Sequence, residues 1–337
     1  RDLNHPYRQA DVPPYWAKRH GLGFVEVFDA DRDQLPGESG PEGASNAVYE
    51  VARGRRFSPV FQPIVDLRTG VVLGFEGLVR PDPQGPFPDA EALFTAAAAT
   101  DRTVELDLAC LEVVAAGASG ISGDHIVSIN LSAKTLEVKE FDSGWLLNTL
   151  VRHGISPSRV IVELTERDPI SDVKRLKENV RHLGQYGLRL AADDVGAGNA
   201  GLRLLSQVQF DIVKIDLSLV QDSVHSTASW AVLRSLRDLA WRQDALVVGE
   251  GVEHPEQLRV LRQMDISIGQ GYLLGRPSPR PHVALVDVAT LSSHGDVAAP
   301  VPSASGGRRR TLHLPGPLLP PLDTGQLQPS PVPTAQV

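Results

Sequence analysis

The sequence predicts an α/β fold in which parallel strands alternate with helices, and three features support this. Short apolar runs bounded by polar residues, such as 160–162 and 246–249, are typical of strands buried on both faces. The stretches between them have helical spacing and are long enough to link parallel strands. The runs also end in acids, an amide or a lysine. In an eight-fold strand-helix barrel the strand ends converge on one site, so we expect a TIM-like (β/α)8 barrel.

The residues at the predicted strand ends are Asn130, Glu163, Asp193, Lys214 and Glu250. Consecutive members of this set are separated by about the length of one strand-helix unit. These side chains are therefore expected to meet at the C-terminal mouth of the barrel, although they are far apart in sequence.

The N-terminal region predicts an extension followed by a hairpin. Residues 1–46 are too few to hold a core of their own, and they include a Gly- and Pro-rich connector at 35–43, so we expect an extension from an upstream region. A helix is expected to begin near Ala47. The runs 57–66 and 71–80 are joined only by a short turn, which predicts a hairpin at the start of the barrel.

Beyond the hairpin, helices and strands alternate to about residue 288, so we expect one domain over 47–288. Its clearest helices are predicted at 89–98, 144–153, 173–186 and 226–242. Residues 289–337 are rich in Pro, Ser and Gly and poor in aromatics, which predicts a disordered Pro-rich tail.

Composition and charge limit the classes of function. A formal charge of -8 and a pI near 5.7 provide no basic surface for duplex nucleic acid or an anionic membrane. An anionic substrate would therefore need metal ions or a local basic patch. No apolar stretch is long enough to span a membrane. The single cysteine, Cys110, is expected to be a buried core residue and suits a reducing cytoplasm.

The candidate site residues all follow predicted strands, and they are Glu76, Asn130, Glu163, Glu166, Asp193, Asp194, Lys214, Glu250, Glu253 and Gln270. Converging carboxylates repel one another without cations, and Mg²⁺ or Mn²⁺ prefers such oxygen ligands. Asp193 and Asp194 are expected to point to opposite sides of the strand end, so one can bridge two ions. Two ions stabilise the entering and leaving oxygens in phosphodiester hydrolysis. No Cys/His spacing provides a zinc site.

Seven motifs follow one another along the chain: Phe61-Gln62-Pro63-Ile64-Val65 with Glu76-Gly77-Leu78-Val79-Arg80, Asn130-Leu131-Ser132, Glu163-Leu164-Thr165-Glu166, Asp193-Asp194-Val195-Gly196-Ala197-Gly198, Lys214-Ile215-Asp216, Glu250-Gly251-Val252-Glu253 and Gln270-Gly271-Tyr272. In this order they resemble the motifs of EAL-domain cyclic di-GMP phosphodiesterases. The resemblance covers about residues 47–288. It implies a barrel whose first strand runs antiparallel to the others, in agreement with the predicted hairpin.

The resemblance also implies the metal site and the reaction. One ion would be held by Glu76, Asn130, Glu163 and Asp193, and the other by Asp193 with Asp194. The reaction would be hydrolysis of one 3′-5′ phosphodiester of cyclic di-GMP, which gives linear pGpG. The implied partners are cyclic di-GMP, a second copy of the domain in a homodimer, and an upstream sensor or signalling domain.

Further roles follow from the same resemblance. Lys214 would orient the attacking water, and Glu250 would act as base or water ligand. Glu166 would brace the Asp-Asp loop. Four residues would contact the substrate or order water near it: Gln62, Arg80, Glu253 and Gln270.

Three departures from the family pattern concern the site. Gly77 replaces the alanine that names the family, which is expected to be mild but to loosen the strand end that presents Glu76. Val195 replaces a phenylalanine, and 199–201 replaces an aromatic residue followed by two serines. The loop after Asp194 is family-associated with dimer contacts and metal placement, so coupling between subunits is the property most affected.

Two alternatives to the enzyme remain. A receptor or scaffold would bind cyclic di-GMP in the same pocket without hydrolysis, but such receptors typically lose an acid or the lysine, and here none is missing. A metal-dependent barrel of another class, such as an enolising lyase, would use Lys or His bases, and no His lies at a predicted strand end.

Overall fold

In the computed structural model, the described residues are 41–121, 123–138, 143–165, 170–197, 200–281 and 283–293. Eight strands form one closed barrel in sequence order. They are β1 (Phe57–Asp66), β2 (Val72–Pro81), β3 (Ile126–Ser132), β4 (Val160–Thr165), β5 (Arg189–Val195), β6 (Ile212–Ile215), β7 (Leu246–Gly249) and β8 (Ile268–Gly269).

Strand direction agrees with the sequence prediction. β1 pairs antiparallel with both of its neighbours, β2 and β8. All the other neighbouring strands pair in parallel. The predicted TIM-like (β/α)8 barrel with an antiparallel first strand is therefore confirmed.

The helices lie outside the barrel. They are α1 (Pro41–Arg53), α2 (Ala90–Ala99), α3 (Thr103–Ala118), α4 (Ala133–Glu137), α5 (Ser143–Arg152), α6 (Val173–Gln185), α7 (Ala200–Gln207), α8 (Leu217–Asp222), α9 (Thr227–Arg242), α10 (Pro255–Gln263) and α11 (Val288–Ser293). The four predicted helices are found within one residue at each end. Three of them begin after a capping side chain: Asp89 accepts a hydrogen bond from Ala92 N, Asp172 accepts one from Arg175 N, and Ser226 accepts one from Ser229 N.

Two predicted boundaries differ from the structure. α1 begins at Pro41 rather than near Ala47, because Ala44 is already buried one turn before Val48 of the core. α11 includes the first residues of the predicted tail, because Val288 belongs to the core and Leu291 packs against it. Residues 1–40 and 294–337 lie outside the described residues, so the rest of the predicted extension and tail stays a prediction.

The core has two parts. The larger part fills the space between the sheet and the surrounding helices, and it includes Phe61, Phe75 and Leu111. The smaller part lies inside the barrel. Among the described residues, no helix has the length and hydropathy needed to cross a membrane.

Candidate active site

Side chains inside the barrel are arranged in two layers. The lower layer is apolar and consists of Ile64, Ile126, Ile161, Ala191, Ile212, Val248 and Ile268. Because side chains alternate along a strand, the residue two positions further along each parallel strand points into the same interior, closer to the mouth. This alternation places Glu163 above Ile161 and Lys214 above Ile212. The predicted strand-end residues therefore share one upper layer.

Lys214 lies at the centre of the upper layer and is 2% exposed. Its Nζ is 2.6 Å from Glu163 Oε2 and 3.3 Å from Glu76 Oε2. The same atom is 2.8 Å from both Asp193 Oδ1 and Glu250 Oε1. A single ammonium group therefore faces four carboxylates, and in this cluster the negative charges exceed the positive charge.

Glu76 is held by two amide side chains. Asn130 Nδ2 donates to Glu76 Oε1 over 2.7 Å, and Gln270 Nε2 donates to Glu76 Oε2 over 2.6 Å. Gln270 Nε2 also lies 3.2 Å from Gln62 Oε1, and Gln62 Nε2 donates to the Gly275 carbonyl over 3.3 Å. The two glutamines thus belong to a buried network that orients Glu76, and their predicted contacts with substrate or water remain predictions.

The pKa values show how the charges compete. Burial raises the pKa of Glu250 to about 8, because the attraction of Lys214 does not offset it and Asp193 adds repulsion. Burial and the charge of Glu76 place the pKa of Glu163 well above its usual value. Burial acts in the same direction on Glu76, but Lys214 and the amide hydrogen bonds outweigh it, so the pKa of Glu76 is lowered.

Lys214 stays charged in this environment. Burial alone would lower the pKa of its ammonium group, but the surrounding carboxylates, led by Asp193, outweigh that effect and raise the pKa well above its usual value. The cluster therefore has a fixed positive charge at its centre and an unbalanced set of acids around it.

The Asp193-Asp194 pair lies at an irregularity of the sheet. The pairing of β5 with β6 shifts register between Ala192 and Val195, and Asp194 has a φ of 53°. An aspartate tolerates this left-handed conformation better than most residues. As a result Asp193 is partly buried and Asp194 is exposed, and each of them offers an oxygen within 4.8 Å of the other and of a Glu250 oxygen.

This arrangement fits divalent cations that prefer oxygen ligands. The group of Asp193, Asp194 and Glu250 offers only carboxylate oxygens as ligands. The nearby Glu76 is hydrogen-bonded to the side-chain amide of Asn130, whose oxygen is a further candidate ligand of the same kind. Asp193 Oδ1 is buried, and its partner among the described residues is Lys214 Nζ at 2.8 Å, which it shares with three other acids. An acceptor of this kind, in a cluster with excess negative charge, is suited to bind a cation.

The remaining predicted residues lie around or beyond this cluster. Arg80 is exposed, and it lines a cavity of about 240 Å³ together with Glu76, Asn130 and Asp193. Glu253 is also exposed and follows β7, where its backbone N–H donates to Gln257 Oε1 over 2.7 Å. Glu166 lies outside the described residues, so its bracing role stays a prediction.

Sequence reasoning missed two polar residues that support the site. Ser128 donates a hydrogen bond to Glu163 Oε1. Asp107 on α3 is buried and accepts hydrogen bonds from Ser132 N over 2.8 Å and Thr135 Oγ1 over 2.5 Å, which ties α3 to the junction of β3 and α4. A usable signal existed for Ser128, because it precedes Asn130 by two positions in a strand and so shares its face.

Gly77 also differs from what the sequence suggested. Gly77 is buried where β2 packs against α3. A Cβ atom built on it would overlap Val114 Cγ1 and lie 3.4 Å from Val114 Cβ. Val114, which is buried on α3, therefore fills the space that an alanine methyl group would take. The glycine therefore allows β2 to pack closely against Val114 of α3.

The protein is therefore a TIM-like barrel with a cluster of acidic side chains around one lysine at its C-terminal mouth. The family model of the EAL domain matches residues 45–277, so this chain belongs to the EAL domain family.

Three relatives illustrate the similarity. An uncharacterized signaling protein of Caulobacter vibrioides is 31% identical over 89% of this chain and 36% of its own length. A probable cyclic di-GMP phosphodiesterase, PdeA of Escherichia coli, is 38% identical over 45% of this chain and 21% of its own length. The structure of Klebsiella pneumoniae BlrP1 in a calcium and cyclic di-GMP complex has a TM-score of 0.60, with 33% identity over 67% of this chain and 56% of that one. This chain thus spans less than half the length of these curated relatives.

Proposed function

We propose that this domain hydrolyses cyclic di-GMP to linear pGpG with two divalent cations, Mg²⁺ or Mn²⁺. The observation that carries the proposal is the group of Asp193, Asp194 and Glu250, whose oxygens lie within 4.8 Å of one another beside the buried Lys214. Membership of the EAL domain family and the names of the relatives support cyclic di-GMP as the substrate.

The proposed ligands of one cation are Glu76, Asn130, Glu163 and Asp193, and those of the other are Asp193 and Asp194. When bound, the cations would lower the pKa of a water molecule and neutralise charge on the phosphate. Asn130 already donates to Glu76, and it would turn its amide oxygen towards the site to act as a ligand.

The chain's own residues would then act on the water and the phosphodiester. Lys214 keeps its positive charge at the floor of the site, where it would orient the water and face a phosphate oxygen. Glu250, whose oxygen is 2.8 Å from Lys214 Nζ and lies beside the Asp193-Asp194 pair, would act on the water as a base or as a water ligand.

Residues at the rim would bind the substrate. Arg80 would hold a phosphate, because a guanidinium group offers two parallel donors. Gln62 would contact a guanine, while Glu253 and Gln270 would order water. Glu166 would brace the loop that follows Asp194.

The test is product formation by the purified domain. Incubation with cyclic di-GMP and Mg²⁺ or Mn²⁺, followed by chromatographic separation, should yield pGpG. The variants Glu76→Gln and Asp193→Asn should lose about 100-fold or more of the rate. Glu178→Gln is the matched control, because Glu178 is an exposed glutamate on α6 and should leave the rate unchanged.

If the wild-type domain binds cyclic di-GMP tightly but releases no more pGpG than Glu76→Gln, the domain is a receptor or scaffold and the proposed hydrolysis is wrong.

The cellular setting is part of the proposal. A single buried cysteine suits a reducing compartment, so we place the domain in the cytoplasm. We further propose that it works as a homodimer through the EAL domain, under an upstream sensor or signalling region of the same chain.

A further inference from the structure

Ser128 lies at the boundary between the two layers inside the barrel. It is fully buried in β3, where it pairs with Glu76 of β2 and Ile161 of β4. Below it the barrel interior is apolar, and above it are the acids. A hydroxyl group in such a place needs a hydrogen-bond partner, because burying an unpaired one is unfavourable.

The closer acceptor for this hydroxyl is Glu163, because the Ile161 carbonyl oxygen is 3.5 Å from Ser128 Oγ. Ser128 Oγ donates to Glu163 Oε1, while Lys214 Nζ donates to Glu163 Oε2 over 2.6 Å. Each carboxylate oxygen thus has its own donor. Two donors restrict the rotation of the carboxylate, because Oε1 is held by Ser128 and Oε2 by Lys214.

We propose that Ser128 is a positioning residue for the cation site, which acts by holding the carboxylate of Glu163 in the orientation that a divalent cation requires. This inference rests on the proposed function, because that function makes Glu163 a cation ligand. Without the hydroxyl, the carboxylate rotates and Oε1 loses its donor. Residues that orient metal ligands in this way typically contribute 10- to 100-fold to metal affinity.

Metal binding in the absence of substrate tests the inference directly. Mn²⁺ is titrated into the metal-free domain and the Kd is measured by calorimetry. Ser128→Ala should raise the Kd by about 10-fold or more. Ser128→Thr keeps the hydroxyl and should bind within about threefold of the wild type.

A second serine provides the matched control. Ser223 is also buried and donates to the Val220 carbonyl over 2.6 Å, at the end of α8. Ser223→Ala should therefore reduce stability to denaturant as Ser128→Ala does, but leave the Kd for Mn²⁺ unchanged. If Ser128→Ala does not fold, Ser128→Cys replaces it, because a thiol has a similar size and is a weak donor.

Catalysis provides an independent readout. The Mn²⁺ concentration for half-maximal hydrolysis should rise by the same factor as the Kd in Ser128→Ala, with most of the rate restored at saturating Mn²⁺. A Kd for Ser128→Ala within twofold of the wild type would overturn the inference, as would a Ser128→Thr that folds normally and binds as weakly as Ser128→Ala. A wild-type domain that binds Mn²⁺ without producing pGpG contradicts the proposed function alone, because the binding comparison uses no substrate.

Discussion

Replacing Gly77 by Ala should destabilise the domain, although alanine is the residue that the family motif has at this position. The added methyl group would overlap Val114 Cγ1. Valine in a helix strongly prefers one side-chain rotamer, so Val114 cannot rotate away at low cost. The strain must instead move β2 or α3.

The size of the effect follows from two opposing contributions. Overpacking a core typically costs about 1–3 kcal/mol. Gly77 has no positive φ, so alanine is compatible with its backbone and should return about 0.4–1 kcal/mol by restricting the unfolded chain. The net loss in the free energy of unfolding should be about 1–2 kcal/mol.

The effect of Gly77→Ala on the free energy of unfolding should change sign when Val114 is also replaced by Ala. Val114→Ala alone removes the two methyl groups and should cost about 2 kcal/mol, from lost burial and a cavity. In Val114→Ala the overlapping atom is gone, so adding Gly77→Ala should stabilise by about 0.4–1 kcal/mol. The coupling energy between the two positions should thus be about 1–3 kcal/mol.

Urea unfolding of all four proteins, followed by tryptophan fluorescence, measures this cycle. Mn²⁺ titration of the same proteins adds a functional readout, because Gly77 follows Glu76 in β2 and a displaced strand should weaken cation binding. If Gly77→Ala has the same sign and size in both backgrounds, within about 0.5 kcal/mol, Val114 does not fill this position and the packing argument fails.

Three further predictions concern the site and a distant turn. Asp194→Asn should reduce the rate of hydrolysis by about 100-fold, because it removes the charge of a cation ligand. Gln270→Ala should reduce the rate by about 10-fold, because it removes only a hydrogen-bond donor to Glu76. Equal losses of rate would contradict these roles. Mg²⁺ or Mn²⁺ should support hydrolysis, whereas Ca²⁺ should support little of it, because Ca²⁺ coordination is longer and more flexible. Strong hydrolysis with Ca²⁺ would contradict the two-ion site. Burial acts to raise the pKa of Asp66, but hydrogen bonds and charge from Arg68 outweigh it and the pKa is lowered from 3.8. The ionised Asp66 carboxylate therefore stabilises the fold at a pH above 3.8, its ordinary pKa. This contribution is lost as the pH falls through the lowered pKa that Asp66 has in the folded protein. The stability advantage of the wild type over Asp66→Asn, measured by urea unfolding, should shrink between pH 6 and about pH 3; a constant difference would refute it.

The fold was largely predictable because its determinants are local. Apolar runs of strand length, helical spacing between them and acids at the strand ends are all visible in the printed residues, and they predict a barrel with one polar mouth. The hairpin at 57–81 likewise predicts the antiparallel first strand, because a short turn cannot join parallel strands. Helix ends are not set by the apolar spacing alone, because a side-chain cap or a packing contact decides them, as at Asp89 and Pro41.

The type and order of the site residues are readable from the chain, because each of them follows an apolar run of strand length. How these residues share charge depends on their distances in the folded barrel. Lys214 faces four carboxylates, and burial raises the pKa of Glu250, because barrel closure brings five strands to one buried point. The same closure decided the support beneath the site, where Ser128 meets Glu163 and Val114 fills the space beside Gly77. Such contacts join residues on different elements, and no local pattern in the chain records the distance between them.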